Sequence, residues 1–127
     1  MIPVNMHDLI KALIDKTESK NAIWGKTSRP NEFKLSLEKG AITTDSWNDD
    51  RGEESVDFGI YNIYGDRIDN YYAEKGEPDF ELLMELHNAA KREFYKVDET
   101  INNLFGEIND DKKVGKRLID GNEELPF

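Results

Sequence analysis

The chain has no cysteine and only two histidines, His7 and His87, among its 127 residues. Without cysteine there are no disulfides, no thiolate nucleophile and no cysteine-held zinc or iron–sulfur site. Two histidines eighty residues apart offer no histidine-rich metal spacing, and no Ser-His-Asp arrangement is evident. Nor is there a Gly-x-Gly-x-x-Gly or phosphate-binding loop pattern. Bases are also scarce: 17 Lys and Arg stand against 27 Asp and Glu, a net charge of −10. A nucleic-acid backbone or an anionic membrane surface is normally met by a basic face. Direct nucleic-acid binding and membrane binding are therefore not expected. The natural partner is a protein with a basic surface, a class that includes the DNA-binding faces of other proteins. No apolar run reaches 18 residues, the length of a membrane-spanning helix. The first residues lack the basic flank and apolar core of a signal peptide. These features together point to the cytoplasm.

What is present is the pattern of one α+β domain. Met6, Leu9, Ile10, Leu13 and Ile14 make the stripe of an amphipathic helix over 6–17. Asn5 is its expected cap, with Asp8 complementing the dipole. Trp24 follows in a loop and is expected to pack on the sheet. Phe33, Leu35 and Leu37 alternate with polar residues, the period of a half-buried strand. Lys39-Gly40 turns the chain into a partner strand over 41–47. Asn48 to Glu54 reads as a polar loop, Val56 to Tyr64 as the strongest strand, and Arg67 to Tyr72 as a fourth after the turn at Tyr64-Gly65-Asp66. Four strands in hairpin succession predict an antiparallel meander.

Asp79 is then the expected cap of a long helix. Phe80, Leu83, His87, Ala90, Phe94, Val97, Ile101 and Leu104 recur at spacings of three and four, and Gly106 is placed to end the run. Such a helix is about 37 Å long at 1.5 Å per residue. Its second half is expected to pass beyond the sheet or to form a homodimer contact with another subunit. Both helices are expected on one face of the sheet. The predicted organisation is a domain over 1–106 and a flexible arm over 107–127, the arm holding six acids and four bases.

Candidate chemistry is sparse. His87 lies on the apolar stripe, where a histidine is usually a hydrogen-bonded core residue. The loop Asn48-Asp49-Asp50-Arg51-Gly52-Glu53-Glu54 is acidic enough for a divalent cation. It fails the calcium-loop pattern, because counting back from Gly52 places Trp47 where the first aspartate belongs. A solvated hairpin loop, or a patch for a basic partner, is the expectation. Tyr61, Tyr64, Tyr71 and Tyr72 lie among Asp57, Asp66 and Asp69. Cross-strand packing explains them better than base stacking. No carboxylate pair stands out for hydrolysis. The chain is expected to be non-enzymatic, with no cofactor and no metal.

One motif points at a partner. Glu123, Glu124, Leu125, Pro126 and Phe127 combine acids, a bend fixed by proline and an apolar plug. This run resembles the acidic C-terminal tip of bacterial single-stranded DNA-binding proteins, with glutamate where that family has a longer aspartate run. The resemblance covers about five residues. It implies docking on replication and repair enzymes, with Phe127 as plug, Leu125 beside it and the two glutamates on a basic rim. The rest of the chain lacks that family's basic, aromatic-lined barrel. The body is similar instead to short uncharacterised proteins of bacterial and phage-derived genomes, which implies the fold and no function. Two functions are expected from these readings. One is a protein-binding module that engages, or competes at, genome-maintenance enzymes through its tip. The alternative is an acidic inhibitor or immunity-type protein whose body masks a basic nucleic-acid-binding surface.

Overall fold

A computed structural model describes residues 2–117. The tip at 123–127 lies outside the described residues. The chain divides into two compact units, Met1–Val97 and the residues from Asp98 onward.

The first unit is α+β. Helix α1 (Val4–Glu18) leads into strands β1 (Gly25–Lys26), β2 (Glu32–Leu37), β3 (Gly40–Asn48), β4 (Glu54–Tyr61) and β5 (Arg67–Glu74), and helix α2 (Phe80–Phe94) closes it. The strands form one antiparallel sheet in the order β1-β2-β3-β4-β5, every neighbour consecutive in sequence. The sheet therefore has five strands, where the hydrophobic period predicts four. The additional strand, β1, is two residues long and pairs only with Phe33 and Lys34. A segment that short carries no alternation to read.

Strand parity sorts the sheet into two faces. Phe33, Thr44, Phe58 and Tyr71 form one row across β2 to β5, and Leu35, Ile42 and Ile60 another. This face packs in the core with Ile10, Leu13 and Ile14 of α1 and Phe80, Leu83, Leu86 and Ala90 of α2. Trp24 is buried in the same core and donates its Nε1–H to Thr17 Oγ1 at 3.0 Å.

Helix α1 starts two residues before its expected start, at Val4, with Pro3 at the cap and Asn5 inside the first turn. Pro3 offers no side-chain acceptor, but its carbonyl accepts from Met6 N–H and His7 N–H, each at 3.0 Å. The N-terminal end is held from outside the helix. Asp79 Oδ2 accepts from Ile2 N–H at 2.9 Å, and Asp79 Oδ1 lies 3.2 Å from His7 Nε2. Asp79 does cap α2 by position, yet makes no side-chain bond to that helix. Its carboxylate ties the starts of the two helices together instead. Lys20, just past α1, reaches Glu93 near the end of α2. With starts joined and ends joined, α1 and α2 run parallel.

The expected 25-residue helix is broken. Helix α2 ends at Phe94, and helix α3 (Val97–Ile108) begins after Tyr95 and Lys96. The apolar stripe runs unbroken through this point, so spacing alone does not reveal the break. The cause lies in the core. Phe94 and Tyr95 both pack on Phe33, with ring centroids 5.5 and 5.9 Å away, and on each other at 4.9 Å. Successive residues of a continuous helix do not face the same neighbour. Lys96 turns the backbone with φ of 54°. Helix α3, described by itself, has no buried residue. Among the described residues, no helix is long and apolar enough to cross a membrane.

Candidate protein-binding face

The second face of the sheet carries the parity left over by the core. Its central row runs Glu32–Asp45–Asp57–Tyr72 across β2 to β5, and the next runs Lys34–Thr43–Gly59–Asn70. Three carboxylates thus sit directly opposite one another on adjacent strands, which lie roughly 4.8 Å apart. Like charges in that relation repel, and the structure answers each with a partner. Arg29, in the loop between β1 and β2, donates Nε–H to Asp45 Oδ2 at 2.7 Å. The guanidinium is held more firmly in its charged form by that hydrogen bond and by the charge of Asp45, with Glu32 and Asp57 adding to it against a partial loss of solvation. The loop is fixed by Asn31, whose Nδ2 donates to Ser46 O at 3.1 Å. Thr27 donates its hydroxyl to Glu32 Oε1 at 2.8 Å. Arg67, at the start of β5, pairs with Asp57 Oδ2, and Asn70 Nδ2 donates to Asp57 Oδ1 at 2.9 Å.

Glycine makes room for this. A Cβ at Gly59 would fall 2.5 Å from Thr43 Oγ1 and 3.0 Å from an Arg67 guanidinium nitrogen. The missing side chain leaves space for the Arg67 guanidinium beside Gly59. Beside this network, Trp47 and Tyr72 stack with centroids 6.0 Å apart and planes 23° apart. The small, buried Ser55 on β4 lies directly opposite Trp47, and Tyr72 lies opposite Asp57, two residues further along β4.

The acids are not spread evenly. Residues 45–85 hold thirteen acids and three bases, a net of −10, which equals the charge of the whole chain. Residues 1–44 hold five acids and seven bases. The segment 45–85 is the second half of β3, the β4–β5 hairpin and the start of α2. Set within it are large apolar residues that the fold leaves in solvent: Ile63 (62% exposed), Tyr64 (82%), Ile68 (60%) and Tyr72 (51%). β5 is also one of the two edge strands of the sheet. Exposed aromatic and aliphatic side chains thus share this segment with its acids.

The acidic loop is a self-contained turn. Asp49 Oδ1 accepts from Arg51 N–H and Glu53 N–H, both at 2.9 Å, and Gly52 takes φ of 80°. Those bonds, Glu53 first, hold the Asp49 carboxyl below its ordinary pKa. Among the described residues no group of three or more potential ligands is gathered for a metal. The tyrosines divide. Tyr72 stacks on Trp47, the Lys34 ammonium lies 5.5 Å from the Tyr61 ring centre, and Tyr71 donates its hydroxyl to Asp69 at 2.8 Å. Tyr64 stands in the β4–β5 turn.

His87 is a core residue. Its ring lies 5.6 Å from Phe33, and Nδ1 shares a 3.1 Å hydrogen bond with Thr44 Oγ1. Burial, with the Lys91 charge adding to it, pushes its pKa down to about 4. Arg29, Asp45, Asp57 and Arg67 escape a reading of the sequence alone, because alternating charges on a strand look like any solvated face. Only Asp45 carries a sequence signal, its parity with Trp47 on β3. The five tip residues, 123–127, lie outside the described residues. Comparison with family models, with curated proteins and with solved structures found no match.

Proposed function

We propose that the chain is a non-enzymatic binding module that presents its acidic β4–β5 half to a basic protein surface, of the kind that otherwise holds a nucleic-acid backbone. The observation that carries this reading is the concentration of the entire net charge in residues 45–85, around the exposed Ile63, Tyr64, Ile68 and Tyr72. The charge steers a basic partner and the apolar side chains hold it once docked. Masking follows, because the acids occupy the sites that phosphates would take. The test is competition. Proteins captured from cell extract on the immobilised full chain are purified and loaded with a labelled single-stranded oligonucleotide. The full chain is expected to displace the oligonucleotide, and Tyr64→Ser with Ile68→Ser to displace it poorly. Capture of partners that keep their oligonucleotide at saturating protein would overturn masking.

A second reading rests on the tip. Leu125, Pro126 and Phe127, preceded by Glu123 and Glu124, resemble the tip of single-stranded DNA-binding proteins, and would bring this chain to replication and repair enzymes. Deleting Phe127 separates the readings. Loss of capture, with competition by a free tip peptide, supports docking through the tip. Unchanged capture leaves the body as the binding surface.

A further inference from the structure

Apart from the acidic half, the described residues form two apolar surfaces that face solvent. The first is a groove of about 440 Å³ between α1 and β2, lined by Leu9, Leu13, Ala22, Ile23, Leu35 and Leu37. Ile23 is 91% exposed and Leu37 55%. The groove is open because β1 stops short: it pairs only with Phe33 and Lys34, so the outer edge of β2 from Leu35 to Leu37 has no strand beside it. The second surface is on α3. Ile101, Leu104, Phe105 and Ile108 are all exposed, and their spacing puts them on one helical face.

We infer that the α1–β2 groove receives the apolar face of α3 from a second copy of this chain, so that two copies dock reciprocally. Three observations fit the two surfaces to each other. The spacing on α3 is i, i+3, i+4, i+7, the anchor pattern of a helix laid in a groove. The lengths agree: Leu9 to Lys16 along α1 and Ile101 to Ile108 along α3 each span seven residues, about 10 Å of helix. The charges are opposite. Lys16 is the charged side chain of the groove lining, and its walls come from the segment of net positive charge. The 12 residues of α3 hold Asp98, Glu99 and Glu107 and no base. Each copy offers one groove and one helix, and a reciprocal pair fills both grooves. This association uses neither the acidic half nor the tip and stands whether or not the proposed function does.

Sedimentation of the full chain over a range of concentrations tests it, with two variants at exposed positions, Phe105→Glu on α3 and Leu37→Glu in the groove. Circular dichroism and urea midpoints check that each folds. The intact chain is expected to dimerise, and each variant to raise the dimer dissociation constant at least about tenfold. Mixing the variants is the sharper arm. The Phe105→Glu chain keeps its groove and the Leu37→Glu chain keeps its helix, so the mixture is expected to form mixed pairs more tightly than either variant pairs with itself. A monomer at every concentration would overturn the inference, as would a dimer that neither variant weakens or a mixture no tighter than its parts.

Discussion

Lys20 and Lys96 are the two non-glycine residues of the described chain with positive φ, at 67° and 54°, and both place their ammonium on the same carboxylate. Glu93 Oε1 lies 3.5 Å from Lys20 Nζ and Oε2 lies 3.0 Å from Lys96 Nζ. Each lysine is the left-handed residue that ends a helix. After α1, Lys20 N–H donates to Thr17 O and Asn21 N–H to Lys16 O, the paired bonds of a Schellman turn. Glycine is the usual occupant. Here a side chain is kept at the cost of a strained backbone, and it neutralises a buried acid where α1 and α2 end.

Removing both cations is therefore expected to cost more than removing either. Lys20→Ala with Lys96→Ala leaves Glu93, 5% exposed, without these two partners, and is expected to lower stability by about 3 kcal/mol. Adding Glu93→Gln should recover part of that loss. Lys96→Gly should be less harmful than Lys96→Ala by about 0.5–1 kcal/mol, because glycine accepts the left-handed backbone. Urea midpoints of the five variants, Lys20→Ala alone among them, check these differences.

Gly59 should tolerate no side chain while Thr43 stands beside it. Gly59→Ala puts a methyl 2.5 Å from Thr43 Oγ1, a steric cost of about 2 kcal/mol. Thr43→Ala in the same chain removes the clashing atom, so the pair should be coupled, with the double variant more stable than the sum of the singles. A double-mutant cycle by urea unfolding measures this. Simple additivity would mean that the two positions do not touch.

Acid is expected to weaken the fold through His87. Its pKa is about 4 when folded and 6.5 by ordinary value. Between those values the unfolded chain binds the proton and the folded chain does not, so stability falls as pH drops from about 6.5 to 4 and this loss is complete below. The contribution is of the order of 3 kcal/mol at most. The readout is a difference between two chains: the intact chain should lose more stability between pH 7 and pH 4.5 than His87→Leu does. Equal losses would remove His87 as the cause.

Much of this fold is legible in the sequence, because period two and period three-to-four are imposed by burial on one face. Phe33, Leu35 and Leu37, and Val56, Phe58 and Ile60, announce their strands, and Ile10, Leu13 and Ile14 their helix. What is not legible depends on contacts between distant residues. The stripe from Phe80 to Leu104 promises one helix, and only the meeting of Phe94 and Tyr95 on Phe33 shows why it breaks at Lys96. Asp79 looks like a cap and serves instead as a tie to Ile2 and His7. The charge row Glu32–Asp45–Asp57 exists only once register sets β2, β3 and β4 side by side. Its arginines come from a loop and from the start of β5, which no local pattern connects to it.

The central claim is that the acidic half, and not acidity in general, binds basic partners. Fluorescence anisotropy of a labelled arginine-rich peptide tests it with two charge-matched triple variants of the full chain. One neutralises Asp50, Glu53 and Asp66 in the acidic half, and the other neutralises Asp8, Asp15 and Glu18 on α1. All six side chains are exposed, and each variant removes three negative charges. The account predicts that the first weakens peptide binding about tenfold or more, a loss of about 1.4 kcal/mol, while the second stays close to the intact chain. Equal weakening by both would contradict it.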